Sequence, residues 1–305
     1  GSAAGVAQPV RRTRALRVGL IGPGRAGLAL ARALRRGGVA VLGVHGRRRK
    51  RVPPGIPLSL GWPPPWLERA DAVLLSVRDD SLPELVAALT GVVRRGQVVL
   101  HLSGSRGANV LAPLRRHGAR VGSWHPLMTI PATRLPADLF RGAMFAVEGD
   151  AAAVRLGSRL ARALGGTPVA VRSAVKPRYH AAAVFASNYI VTLLGIAEEL
   201  MEAAGIGRRR ARAALAPLAR AAVENVARHG PARALTGPIV RGDAETVVAN
   251  LRAMPDSMLE DLYASLCAKT IEYALSDRHA AKGVDRLVRN LERLEGAMGK
   301  KSGGT

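Results

Sequence analysis

Short apolar runs alternate with amphipathic stretches over the first half of the chain, and the alternation stops after about Arg172. Runs at residues 17–21, 39–44, 72–76, 98–102, 120–124, 143–147 and 168–171 have the length and β-branched content of strands. Residues 25–36, 82–93, 108–117 and 151–164 have the spacing of helices. Strands alternating with helices predict right-handed crossovers and a mostly parallel sheet. Residues 53–65 hold six prolines and little periodicity, so the third crossover reads as an irregular loop. Beyond Arg172 the pattern is helical throughout. A single helix is expected from Pro177 to Ala204, about 28 residues or on the order of 42 Å, with Gly205 as its stop. Further helices are expected at residues 208–228, 244–254, 256–276 and 278–298. The fold class is therefore an α/β domain with a mostly parallel sheet over residues 14–172, followed by an all-α domain over 173–298. Gly1-Ser2 reads as a cloning remnant, and Gly299 to Thr305 as a frayed tail.

The first strand and first helix enclose the most informative stretch. Residues 17–21 run into Gly22-Pro23-Gly24-Arg25-Ala26-Gly27 and then into an Ala/Leu-rich helix. This is the order that a dinucleotide pyrophosphate needs. Gly22 permits the tight turn, Gly24 clears the approach of the phosphates, and Gly27 lets the helix pack close to the strand. The helix N-terminus adds free N–H groups and partial positive charge. An NAD site usually places an acidic residue about 20 residues further on. Here the second strand ends in Arg47-Arg48-Arg49-Lys50-Arg51, with no carboxylate. Arg grips phosphate bidentately, so a 2′-phosphate, and hence NADP, is the expected cofactor.

In an open α/β sheet the ligand lies beyond the carboxyl ends of the strands. Three of those ends are polar: Ser76-Val77-Arg78-Asp79-Asp80, Leu100-His101-Leu102 running into Ser103-Gly104-Ser105, and Ser123-Trp124-His125-Pro126-Leu127. Ser76, Val77, Arg78 and Ser103 are expected beside the cofactor. His125 and Ser103 are equally readable as structural hydrogen-bonding residues. The helical half opens with Lys176-Pro177-Arg178-Tyr179-His180, and Ser187-Asn188 follows two turns later. On one continuous helix His180 and Ser187 share a face, with Asn188 about 80° round from His180. Reduction of a carbonyl or imine needs a proton donor and a polarising donor. His180 suits the first task and Asn188 the second, with Ser187 beside it, although a lone histidine on an apolar helix is equally readable as a satisfied core residue. A third polar cluster runs from Thr236 to Thr246. Asp243 is a natural N-cap there, whereas Thr236 and Arg241 have no local duty and are candidates for binding a substrate carboxylate.

Composition narrows the picture. With 46 basic and 22 acidic residues the net charge is +24. Only 6 of the basic residues are Lys, they are spread along the whole chain, and aromatics make up 3 %. The Arg skew is what a GC-rich genome produces, and base-stacking platforms are scarce, so specific nucleic-acid binding is not expected. Cys267 is the single cysteine, read as a small apolar helix residue. It allows no intrachain disulfide and no cysteine zinc cluster, which fits a reducing cytoplasm, and no metal site is expected. No uninterrupted run of about 20 apolar residues occurs, so no membrane span is expected.

Together, Gly22–Gly27, residues 100–105, His125-Pro126, Tyr179-His180 through Asn188-Tyr189, and Thr236-Gly237-Pro238 with Arg241-Gly242-Asp243 resemble a family of two-domain NADP oxidoreductases. In that family a Rossmann domain similar to that of deazaflavin-dependent NADP reductases precedes a helical domain of unknown function. The wider superfamily includes ketopantoate reductases, pyrroline-5-carboxylate reductases, β-hydroxyacid dehydrogenases and prephenate dehydrogenases. The resemblance implies an NADPH-dependent reductase of a small 2-oxo acid or imine, with ketopantoate-like substrates first. It also implies a homodimer with shared sites, since Thr236-Gly237-Pro238 is similar in position to a helix start that meets the partner's site in pyrroline-5-carboxylate reductases. The catalytic Lys that β-hydroxyacid dehydrogenases place four residues before an Asn is Val184 here. Trp124-His125-Pro126 is similar to the His-Pro of prephenate dehydrogenases, which keeps an oxidative dehydrogenase as one alternative. A non-catalytic cofactor-binding regulator is the other.

Overall fold

The computed structural model describes residues 15–132, 136 and 138–302, with backbone only from residue 295 onward. Gly1-Ser2 and residues 303–305 lie outside the described residues. The chain divides into two compact units, Gly1–Val191 and Thr192–Thr305.

The first unit is built on strands β1 (Arg17–Ile21), β2 (Ala40–His45), β3 (Leu58–Ser59), β4 (Ala72–Leu75), β5 (Val98–His101), β6 (Arg120–Pro126), β7 (Met144–Gly149) and β8 (Thr167–Ala170). They form one sheet in the order β3-β2-β1-β4-β5-β6-β7-β8. Every pairing is parallel except β6 with β7. Helices α1 (Arg25–Arg36), α2 (Leu82–Leu89), α3 (Ala112–Arg116) and α4 (Ala151–Ala163) connect the strands, and α5 (Lys176–Ala186) follows them.

Alternation along each central strand fills two cores. Val18 and Leu20 of β1, Leu74 of β4 and Leu100 of β5 join one cluster with Trp124 and Phe145. Ile21, Val73, Leu75 and Val99 join the other, with Trp66 and Val121. Strands buried on both faces read as continuous apolar runs, which is why the sequence located them to within one or two residues. His101 shares the second face and is fully buried at the carboxyl end of β5.

The helical expectations need four corrections. The segment expected at 82–93 leaves the helix after Leu89, and the one expected at 108–117 is a 3₁₀ turn, Ala108–Leu111, followed by α3. The single helix expected from Pro177 to Ala204 is two: α5, then α6 (Asn188–Ala203). Ser187 separates them at φ −131° and ψ −68°. Its hydroxyl donates to the Ala183 carbonyl at 2.7 Å, while its N–H turns to Val184 instead. A side chain that captures the i−4 carbonyl competes with the helical ladder. Fourth, Gly299 does not begin a frayed tail, because the last helix runs on to Ser302.

One segment passes the length and composition test for a membrane span, which alone is weak grounds for one. Ser173–Ala203 contains a window of mean hydropathy 1.5 that is long and apolar enough to cross a membrane by length and composition. His180, Ser187 and Asn188 interrupt its apolar runs, so a search for an unbroken run passes over it.

The second unit holds most of α6 and then α7 (Arg208–His229), α8 (Pro231–Ala234), α9 (Pro238–Arg241), α10 (Ala244–Arg252), α11 (Ser257–Leu275) and α12 (Arg278–Ser302). Its core is small: Ile239, Ala244, Ala274, Ala280, Val284 and Leu287, with Cys267 half-buried against them.

Candidate functional site

The turn between β1 and α1 has the geometry its glycines call for. Gly22 sits at φ +108°, and a Cβ there would lie 2.1 Å from the Ser76 carbonyl. A Cβ on Gly27 would lie 2.2 Å from the Gly22 carbonyl, so the helix can pack this closely only without one. Gly24 is the N-cap of α1 and has nothing within 4 Å of where its Cβ would be. The floor is thus open at the point where phosphates would approach the free N–H groups of the first turn. A cavity of about 650 Å³ begins here, lined by Gly22, Pro23, Gly24, Arg47, Ser76, Val77 and Arg78 among others. Arg48 and Arg49 line an adjoining depression with Pro23, Arg47 and Lys50. Arg25, Ala26 and Gly27 open α1 and are not among the lining residues. Trp62, from the proline-rich loop, lines the same cavity and packs edge-on to His45 with ring centroids 5.8 Å apart. Sequence reasoning passed over this aromatic because the loop has no periodicity.

A second polar cluster forms at the carboxyl ends of β5 and β6 with the start of α5. Ser103 does not line the cavity; it is 8 % exposed. Its hydroxyl and that of Ser105 both donate to Asp79 at 2.8 Å, and Arg106 N–H donates back to Ser103 at 3.0 Å. Of the two readings open for Ser103, these bonds describe the turn-forming one. Asp79 belongs to the polar strand end expected there, although no role was assigned to it.

His125 and His180 come together, with ring centroids 6.2 Å apart. They meet over Gly104, whose Cβ would lie 2.6 Å from His180 Nδ1 and 2.8 Å from His125 Nε2. His180 Nδ1 is buried and has no hydrogen-bond partner. His125 Nδ1 is 2.8 Å from the Tyr179 hydroxyl. Burial pushes the Tyr179 phenol up to about 12, so it stays protonated at neutral pH. A neutral imidazole that accepts from it at Nδ1 carries its own proton on Nε2, the nitrogen facing Gly104. Burial, reinforced by the Lys176 charge, lowers both His125 and His101 to about 4.

Beneath this pair lies Lys176, the first residue of α5 and fully buried. Its Nζ donates to the Ser103 carbonyl at 2.9 Å and to the Ser123 hydroxyl. Burial lowers it to about 8, opposed by the charges of Glu148 and Asp79. Glu148 in turn accepts from Ala108 N–H and the Ser173 hydroxyl. Lys176 and Tyr179 both stand in the stretch that drew attention to His180. They were missed because only the helix face of His180 was followed.

The remaining candidates are not in this cluster's bonding. Ser187 bonds Ala183 and, at 3.0 Å, the Asn188 side chain. With the helix broken at Ser187, the angular relation of Asn188 to His180 on one continuous helix does not apply. Thr236 and Arg241 belong to the second unit, flanking and ending α9. Asp243 caps α10, accepting from Thr246 N–H at 3.1 Å and Thr246 Oγ1 at 2.7 Å. Among the described residues no group of three or more His, Cys, Asp or Glu is arranged to hold a metal ion.

Against known families, residues 4–126 match a Rossmann-like domain, and residues 143–270 match DUF2520, a domain of unknown function. None of the curated proteins matches the chain. Among solved structures, protein BF3122 from Bacteroides fragilis superposes with a TM-score of 0.70 at 23 % identity, covering 85 % of this chain and 98 % of that one. Protein TM1727 from Thermotoga maritima gives 0.67 at 22 % identity, covering 86 % and 99 %. An imine reductase from Myxococcus stipitatus, in complex with NADP+, gives 0.58 at 18 % identity, covering 84 % and 94 %. At these identities the likeness is one of fold.

Proposed function

We propose, from the pairing of a Rossmann-like match over residues 4–126 with a DUF2520 match over residues 143–270, that this chain is an NADP-dependent oxidoreductase reducing a small 2-oxo acid or imine. The observation that carries the reading is the glycine bed at Gly22, Gly24 and Gly27, open at Gly24 and followed by Arg47, Arg48 and Arg49 where β2 ends. Two further supports come from proteins of similar fold: BF3122 is described as an NADP oxidoreductase by inference, and the imine reductase is solved with NADP+.

In this reading residues 14–172 hold the cofactor. Gly24 and the first turn of α1 receive the pyrophosphate, the three arginines take the 2′-phosphate, and Ser76, Val77 and Arg78 flank the bound chain. When bound, the reduced nicotinamide supplies a hydride. His125 presents Nε2–H to the substrate oxygen or nitrogen, and His180 supplies the proton to that same oxygen or nitrogen as the hydride reaches the adjoining carbon. Ser187 and Asn188 orient the acceptor. Residues 173–298 form the substrate and dimerisation domain, where Thr236 and Arg241 are assigned to a substrate carboxylate on their chemistry, with ketopantoate-like acids first. Exposed apolar side chains such as Phe185, Val191 and Leu193 support a homodimer. The single cysteine supports a reducing cytoplasm as its location.

Titration of the purified chain with NADPH and NADH tests the premise. NADPH should bind at least about tenfold more tightly, since a bidentate Arg–phosphate contact is worth more than 1 kcal/mol. No affinity for either carrier would remove the function. With a substrate in hand, His180→Ala should lower kcat by about a hundredfold or more with cofactor affinity kept. Full turnover in that variant would remove His180 from the chemistry.

A further inference from the structure

Lys176 is the one Lys, Arg, Asp or Glu among the fully enclosed side chains described, and no carboxylate bonds to it. Enclosing an ammonium without a bonded counter-ion is unfavourable, because the charge loses its hydration. Such an arrangement persists where the surrounding structure holds it in place, and it concentrates at functional sites. Its two acceptors are informative. The Ser103 carbonyl belongs to the peptide that leads into Gly104, and Ser123 lies on β6 two residues before His125. In a trans peptide the C=O and the following N–H point in opposite directions. A carbonyl held down by Lys176 therefore turns the Gly104 N–H away from the lysine.

We propose that Lys176 is a positioning residue for the site assigned above: its ammonium fixes the Ser103–Gly104 peptide under the His125–His180 pair and denies His125 a second positive charge. The inference rests on that assignment for its meaning, but not for its test. The groups acting on His125 are Lys176, His180 and His101, which oppose its protonation, Asp79, which favours it, and the bonded Tyr179 hydroxyl. Among the positive ones, Lys176 contributes most. With His125 neutral, its Nε2–H remains a donor rather than an acid. Proton delivery then falls to its neighbour, and the pH at which the site works becomes linked to the charge of Lys176.

The experiment is an NMR titration of the imidazole resonances in the intact chain without cofactor, with His125 identified by the signal lost in His125→Asn. In the wild type the His125 midpoint should lie below about pH 5. In Lys176→Met it should rise by about one pH unit or more, the effect of removing one charge several ångströms away at an effective dielectric near 20. A wild-type midpoint near the ordinary histidine value would overturn the proposal, and that arm needs no variant to fold. An unchanged midpoint in folded Lys176→Met would overturn it equally. Unchanged NADPH affinity in Lys176→Met supports a local role. Lost NADPH affinity with unmoved imidazoles would leave the lysine a purely structural one. If the wild type itself fails to bind NADPH, the function falls while the titration still reads the lysine.

Discussion

The two units bury their apolar residues in different ways. In the first, central strands are covered on both faces, and Val73, Leu74 and Leu75 are all fully buried by the chain itself. In the second, α6 buries no residue and α7 buries only Ala211, while Leu218 is 66 % and Met258 70 % exposed. A parallel sheet with helices on its faces closes its own core. A helix that leaves this much apolar surface open has a face meant for something else. The first unit closes its core within one chain, whereas the second leaves apolar helix surface open, which is what the proposed homodimer would cover.

The largest effect should come from charging that open face. Leu218→Asp with Val226→Asp places two carboxylates about two turns apart on α7. The wild type should sediment at twice the 32.0 kDa of the chain. The double variant should sediment as a monomer, its dimer affinity weaker by about a thousandfold, or roughly 4 kcal/mol. Monomeric wild type at micromolar concentration would break the comparison between the units.

The next effect is confined to the first unit. His101 and His125 are lowered to about 4 in the folded chain, against about 6.5 when unfolded. Below about 6.5 the unfolded chain therefore binds more protons, and stability falls as the pH drops toward 4. Each imidazole accounts for up to about 3 kcal/mol of that loss. Lys176, lowered to about 8, acts with the same sign in a higher window: stability rises as the pH climbs from about 8 to 10.5. Urea midpoints followed by Trp fluorescence report on this unit, because Trp62, Trp66 and Trp124 all lie in it. A flat profile between pH 4 and 6.5 would show that the two imidazoles are not held neutral.

How much of this was legible follows from range. The strands were legible because burial on both faces leaves an apolar run, and Gly22, Gly24 and Gly27 were legible because their roles are local to one turn. The meeting of His125 with His180 was half-legible: each was singled out, but nothing local says that residues 55 apart touch over Gly104. Lys176 was hidden because a lysine in sequence looks like solvated charge, and only tertiary packing encloses it. The break at Ser187 was hidden because it interrupts an otherwise helical pattern at a single residue. Trp62 was hidden by a loop whose course depends on the fold.

The smallest effect separates local from long-range use of the same residue type. Asp150 occupies the N-cap position of α4, yet its side chain makes no cap bond. It accepts instead from Val121 N–H at 2.8 Å and pairs with Arg115 at 3.0 Å, tying the first unit across 29 residues of sequence. Asp243 does the opposite, spending both oxygens on Thr246 three residues away. Asp243→Ala should therefore cost about 1 kcal/mol and lower the melting temperature by a few degrees, and Asp243→Asn should restore most of it, because the capping bond needs an acceptor rather than a charge. The loss should appear in the melting of the helical unit and leave the Trp-reported transition of the first unit in place. A shift of both transitions together would mean that the two units unfold as one, and that their difference in burial does not extend to their stability.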